Sequence, residues 1–110
     1  MVFRPDLKAL VLAVLKTDPQ HGYAIVKRIR ESSSGAFRLG EGQLYPLLHR
    51  LEKTGLIVSE WETPESGPAR KLYRLTDRGE EELARCREDW SRFVENVNSV
   101  MSVRPEVSNA

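Results

Sequence analysis

The run LYPLLHRLEKTGLI, Leu44 to Ile57, constrains the fold of this chain more than any other stretch. Leu44, Leu47, Leu48 and Leu51 fall at i, i+3, i+4 and i+7, which lines one face of an α-helix with leucine. Gln43, Tyr45, Pro46, His49, Arg50 and Lys53 fall mostly on the other side, a polar face rich in hydrogen-bond donors. Gly55 takes the left-handed conformation cheaply and so ends the helix, and Leu56-Ile57 resumes with β-type residues. The pattern predicts a short amphipathic helix starting near Glu41-Gly42, followed at once by a strand. Pro46 fits if it lies in or just past the first turn, where amide hydrogens lack partners anyway.

Two strand-like runs come next, Ile57 to Glu62 and Arg70 to Leu75, separated by the turn formers Thr63-Pro64-Glu65-Ser66-Gly67-Pro68-Ala69. Ile57, Ser59 and Trp61 share one face of the first, and Tyr73 and Leu75 one face of the second, so a hairpin with a mobile tip is expected. Upstream, Pro5 and Asp6 open a helix with Leu7, Leu10, Val11, Val14 and Leu15 as its buried stripe, ended by Asp18-Pro19. A second helix begins near His21-Gly22-Tyr23 and turns Ile25, Val26 and Ile29 inward and Lys27, Arg28 and Arg30 outward. It closes at Ser32-Ser33-Ser34-Gly35. Phe37 and Leu39 alternate with Ala36 and Arg38 in a short extended link. Three short helices and a hairpin make the layout of a winged helix-turn-helix, whose third helix is sized for the major groove of DNA.

A last, long helix follows. Thr76 is a good N-cap, and Asp77, Glu80, Glu81 and Glu82 suit the positive end of the helix dipole. Leu83, Trp90 and Val97 are seven apart, Cys86, Phe93 and Val100 repeat that interval three residues on, and Val94 and Met101 widen the stripe. This is an a/d seam over nearly three heptads, the signature of helix-to-helix packing. Part of it lies on the chain's own core and much of it serves a partner subunit, so a homodimer is expected. The fold class is therefore mainly α with a small β-hairpin: a winged helix-turn-helix over residues 1–75, then a C-terminal dimerisation helix and short tail over 76–110. The tail starts at Arg104-Pro105, and the whole is one compact domain.

Charge separates these two parts. Residues 1–75 hold 12 Lys/Arg against 8 Asp/Glu, a net of +4, and residues 76–110 hold 5 against 8, a net of −3. Such asymmetry is expected where one part meets a polyanion and the other does not. No apolar run approaches the roughly 18–20 residues of a membrane span, and no secretory signal pattern opens the chain, so a cytoplasmic protein without membrane contact is expected. The single cysteine, Cys86, rules out an internal disulfide and a multi-thiolate metal site. His21 and His49 lie on separate expected helices and Cys86 on a third, and there is no Gly-rich phosphate loop, so neither catalysis nor a metal or other cofactor is expected.

Three motifs, HGYAIVKRI (His21–Ile29), LYPLLHRLEKTGLI (Leu44–Ile57) and RKLYRLTDRG (Arg70–Gly79), stand in an order and spacing that resemble the PadR-like family of bacterial transcriptional regulators. The resemblance covers roughly Leu7 to Met101 and is to the short branch, in which one C-terminal helix follows the wing and mediates dimerisation. It implies a repressor that binds an inverted-repeat operator on double-stranded DNA and releases it when a small hydrophobic or aromatic effector binds, such as a phenolic acid or drug. The chain departs from the family pattern ahead of Leu-Tyr-Pro, where members often carry Ser or Thr and a small residue. Here the segment is Gly40-Glu41-Gly42-Gln43. Glu41 places a negative charge where phosphates should pass. It favours the helix N-terminus there, or accepts from a cytosine amino group.

Only side chains that reach base edges read sequence, while phosphate contacts set register. Gln43 is the candidate reader, because its amide pairs bidentately with adenine. His49 and Arg50, about two turns further on, meet phosphate or a base, and Lys53 a phosphate. Arg50 has an alternative in pairing with Glu52, and Tyr45 in burying its ring under the wing. Arg70 and Lys71, just past the loop tip, reach adjacent backbone or the minor groove, and Lys27 and Arg28 either add phosphate contacts or form a solvated face. Gly22 and Tyr23 read as structural, the ring packing and the glycine permitting close helix approach. Trp90, Phe93, Val94 and Val97, with Leu83 and Cys86, are candidates for the dimer interface. By the resemblance, an aromatic such as Trp90 also lines an effector pocket between subunits; otherwise Trp90 is ordinary interface core. A winged helix used for protein interaction alone fits the apolar last helix equally well, and the charge split favours DNA.

Overall fold

Helix α1 (Leu7–Thr17) begins where the Asp6 carboxylate accepts the Lys8 amide hydrogen at 3.0 Å, which makes Asp6 its N-cap. The computed structural model describes residues 6–102, so Pro5 and the tail from Arg104-Pro105 lie outside the described residues. Val11, Leu12 and Leu15 are buried, whereas Leu7, Leu10 and Val14 are half-buried. Leu12 is absent from the expected stripe, and the reason is that α1 is packed on more than one side, against α2 (Gly22–Ser32), α4 (Asp77–Met101) and the sheet. One face of a helix is not enough to meet three neighbours.

The second helix starts at Gly22, because Gln20 and His21 are taken up by a strand that the sequence does not signal. This two-residue β1 (Gln20–His21) pairs antiparallel with β3 (Arg70–Leu75), His21 opposite Leu72, and β3 pairs in turn with β2 (Ile57–Glu62), giving the order β1-β3-β2. The hairpin is in the expected place, with Ile57 opposite Leu75 and Glu62 opposite Arg70. Leu39 is buried and Phe37 half-buried in a link without regular structure, after Ser34 and Gly35 turn the chain with positive φ of 54° and 83°.

Helix α3 (Glu41–Lys53) buries Leu44, Leu47, Leu48 and Leu51 against Val11, Leu12, Ile25 and Ile57, so the leucine face is the centre of the core. Gly55 closes it at φ 82°, and the Leu56 amide returns to the Leu51 carbonyl at 2.9 Å. Thr76 then ties the end of α3 to the start of α4. Its hydroxyl donates to the Gly55 carbonyl at 2.7 Å and accepts from the Gly79 amide at 3.0 Å. Gly79 lies against the Leu56 backbone so closely that a Cβ there would stand 2.1 Å from the Leu56 carbonyl oxygen.

Helix α4 has 25 residues, roughly 37 Å at 1.5 Å per residue. Leu83 is the last buried residue along it, and the helix gives the molecule its long axis of 57 Å. Its root is held to α1 by Lys8, whose ammonium meets Glu82 at 2.8 Å, while Arg85 binds the same carboxylate from one turn on. Hydrogen bonds from Lys8 and Arg85 bring the Glu82 pKa down from 4.5 to about 2. A carboxylate depressed on folding contributes stability that is complete above pH 4.5 and lost as the pH falls towards 2. Glu82→Gln is therefore expected to lower stability at neutral pH and to flatten the acid-side decline in that window, as read from urea midpoints across the pH series.

Candidate nucleic-acid interface

With four leucines turned inward, the remaining face of α3 is solvent-facing: Glu41, Gln43, Tyr45, His49, Arg50 and Lys53 are all exposed. Glu41 occupies the first turn, where its charge opposes the helix dipole's positive end favourably. Gln43 has a local duty, since its Oε1 accepts the Gly40 amide hydrogen at 3.3 Å and so caps the helix. To read adenine bidentately it must give up this long bond, while its amide nitrogen has no such commitment. Arg50 does not pair with Glu52. Glu52 instead accepts the Ser59 hydroxyl at 2.6 Å, and Arg50 and Lys53 have no ion-pair partner among the described residues.

Pro46 is the sixth residue of α3 and so lies just past the first turn, where an amide would already have a helical partner. It removes the helical donor to the carbonyl four residues back, that of Gly42. Gly42 is exposed, with nothing within 4 Å of the place a Cβ would take. Tyr45 keeps its ring on Gly22, where an added Cβ would lie 2.7 Å from the phenol oxygen, and still leaves 44% of its surface open. The close approach expected of Gly22 is therefore to Tyr45. Tyr23, expected to pack, is instead 62% exposed and stacks in parallel on His21 with centroids 5.9 Å apart. It lies at the first turn of α2, beyond the reach of the core leucines.

The wing brings Arg70 and Lys71 beside this face. Arg70 is exposed without an ion pair among the described residues, and the Lys71 ammonium sits 5.5 Å from the centroid of the Trp61 ring. Arg74 of the same strand is held by Glu60, and Glu62 by the imidazole of His21 at 2.7 Å. Lys27 is exposed on α2, but Arg28 turns towards α1, where its guanidinium donates to Thr17 Oγ1 at 3.5 Å. Arg28 is thus not brought to the α3 face. Sequence reasoning missed Trp61 as part of this surface: its alternation with Ile57 and Ser59 marks a shared strand face, but not that the face leaves the core before Trp61.

Along α4 the candidate interface residues divide. Leu83 is 2% exposed in the chain's own core. Cys86 is half-buried, and burial raises its thiol pKa above the ordinary value. Trp90 is 41% exposed and stacks on Phe93 at 5.5 Å, with Val94 and Val97 half-buried further on. Phe93, Val97, Val100 and Met101 border an almost wholly apolar hollow of about 340 Å³. The apolar stripe thus continues for about five turns past Leu83, the last residue that the core covers. Among the described residues no group of His, Cys, Asp and Glu is arranged to hold a metal, and no helix is long and apolar enough to cross a membrane.

The family model described as the transcriptional regulator PadR-like family matches residues 11–85. The transcriptional regulator Rv3488 of Mycobacterium tuberculosis is 45% identical over 58 residues, 53% of each chain. The negative transcriptional regulator PadR of Bacillus subtilis is 30% identical over 84 residues, 76% of this chain and 44% of that one, so the match spans about half the length of these two relatives. The X-ray structure of a PadR-like transcription factor from Bacteroides fragilis superposes with a TM-score of 0.74 at 33% identity, covering 86% of this chain and 88% of that one.

Proposed function

Because this chain belongs to the PadR-like family of transcriptional regulators, we propose that it is a homodimeric, sequence-specific DNA-binding repressor whose grip is loosened by a small hydrophobic or aromatic effector. The observation that carries this reading is the polar face of α3, which presents Gln43, His49, Arg50 and Lys53 to solvent beside the wing cations Arg70 and Lys71. In this assignment Gln43 reads a base, Tyr45, Lys53, Arg70, Lys71 and Lys27 position the backbone, and His49 and Arg50 serve either role. Residues 1–75 read DNA and residues 76–110 pair the subunits, with half-sites roughly 34–36 Å apart or a multiple of that.

Repression is supported by the name of the Bacillus subtilis relative, a negative regulator. Effector control is supported by Trp90 and Phe93, a stacked pair left half-open on the helix that would face its mate. An aromatic ligand between two such helices gains apolar area and stacking, and changes the angle between the two α3 helices. Titration of DNA across a salt series tests the assigned backbone contacts. The double variant Arg50→Gln, Lys53→Gln is expected to weaken binding to all sequences and to lower the slope of log affinity against log salt by about 0.9 for each phosphate no longer neutralised. A double variant with the parent slope and affinity contradicts the assignment.

A further inference from the structure

Between the inner face of the wing and the first turns of α2 and α3 lies an open groove of about 370 Å³, of which the contacts assigned above to Tyr45, Arg70 and Lys71 leave Tyr23 and Trp61 unexplained. Its floor is Gly22 with the buried edge of Tyr73, and its walls are aromatic: Tyr23 is 62% exposed, Tyr45 44% and Trp61 66%. Three large rings open to solvent at one place need a reason, because a folded chain gains by covering such surface. Arg70 and Lys71 stand at the wing side of the same groove, and no Asp or Glu is among the residues that line it. The acid at the end of β2, Glu62, is held by His21. The tyrosine hydroxyls, the indole N–H of Trp61 and the cations Arg70 and Lys71 therefore offer donors there, while the Nε2 of His21 is taken up by Glu62.

We infer that this groove seats one sugar–phosphate segment of duplex DNA, with the rings of Trp61 and Tyr23 against the sugars and Lys71, Arg70 and the tyrosine hydroxyls on the phosphate. The inference rests on the DNA-binding reading above and extends it to residues outside the recognition helix and the wing tip. Continuity supports that occupant: Tyr45 belongs both to the groove and to the exposed face of α3, so a strand following the helix face runs into the groove. Charge supports it too, since a polyanion fits two cations without an opposing acid. The ring of Trp61 holds the Lys71 ammonium at 5.5 Å, which orders a long side chain before DNA arrives. The contact is to backbone, so it adds affinity and register without sequence preference.

A Trp90→Phe protein carries Trp61 as its one tryptophan. This protein is titrated at low salt with a dye-labelled duplex of random sequence, recording the anisotropy of the dye and the emission and acrylamide access of Trp61 together. The expected result is that Trp61 emission changes, and its access to acrylamide falls, in step with the anisotropy. Trp61→Ala is expected to bind random and operator duplexes alike roughly tenfold more weakly, about the size of one partly desolvated cation–π contact. Lys71→Gln, which spares the aromatic packing, is expected to reduce the salt slope by about one. A rise in anisotropy with Trp61 as accessible as in the free protein overturns the seat and leaves the DNA reading standing. No rise in anisotropy with this protein or with its Trp90 parent overturns both.

Discussion

Val97→Glu is expected to yield a folded monomer that binds its operator about a hundredfold more weakly than the parent, the lower end of what simultaneous engagement of two sites adds. The expectation comes from where α4 stops being covered. Leu83 is its last buried residue, and Trp90, Phe93, Val94, Val97, Val100 and Met101 continue the stripe with their surfaces half or wholly open. Val97 sits on the heptad interval set by Leu83 and Trp90, and it borders the apolar hollow near the helix end. A glutamate there costs this chain's own fold little, because the side chain reaches water. Across a two-fold axis it places two carboxylates in an apolar seam, where each must be desolvated without a partner. Sedimentation equilibrium reads the monomer directly, and an anisotropy titration with operator DNA reads the loss of avidity. A variant that remains dimeric with parental affinity would show that the subunits do not pair through this face.

Gly79→Ala carries the largest expected effect on stability. The new Cβ would stand 2.1 Å from the Leu56 carbonyl oxygen and 2.8 Å from Leu75 Cδ1. The oxygen is backbone, bonded to the Thr76 amide at 3.1 Å, so it cannot turn aside as the end of a side chain would. Relief requires α4 to move away from the turn between α3 and β2, at a cost of about 3 kcal/mol, the upper part of the range for overpacking a filled site. Gly42→Ala is the matched control. Nothing lies within 4 Å of its Cβ position, so relief of glycine's entropy cost in a helix is expected to add about 0.5–1 kcal/mol of stability. Urea unfolding of the two variants decides between these signs, and a Gly79→Ala protein as stable as its parent would mean that the close approach of α4 to Leu56 is not maintained.

Helix periodicity made α3 legible, because four leucines at helical spacing have a single common face and Gly55 marks its end. The hairpin was legible for a similar reason: turn formers separate two runs that pair with Ile57 opposite Leu75. What escaped depends on neighbours rather than on local pattern. Gln20 and His21 form a strand only because β3 offers an edge, and two residues carry no periodicity. Leu12 is buried because α1 meets three elements, and Leu83 because α4 has its root on the core before it leaves it. The polar residues of the interface could be named from the sequence, but their pairing could not. That Glu52 goes to Ser59 and leaves Arg50 without an ion pair among the described residues, or that Arg28 faces Thr17, follows from the positions of strand and helix in space. Gly79 gave no signal at all, since a glycine in the first turn of a helix reads as a weak helix former until Leu56 is seen against it.

Selection of binding sites from a random duplex pool, with the purified protein at physiological salt where non-specific affinity is weak, tests the central claim most directly. The account predicts enrichment of an inverted repeat whose half-sites are roughly 34–36 Å apart or a multiple of that. A folded dimer that enriches no sequence would contradict it, and would assign the exposed face of α3 to something other than reading DNA.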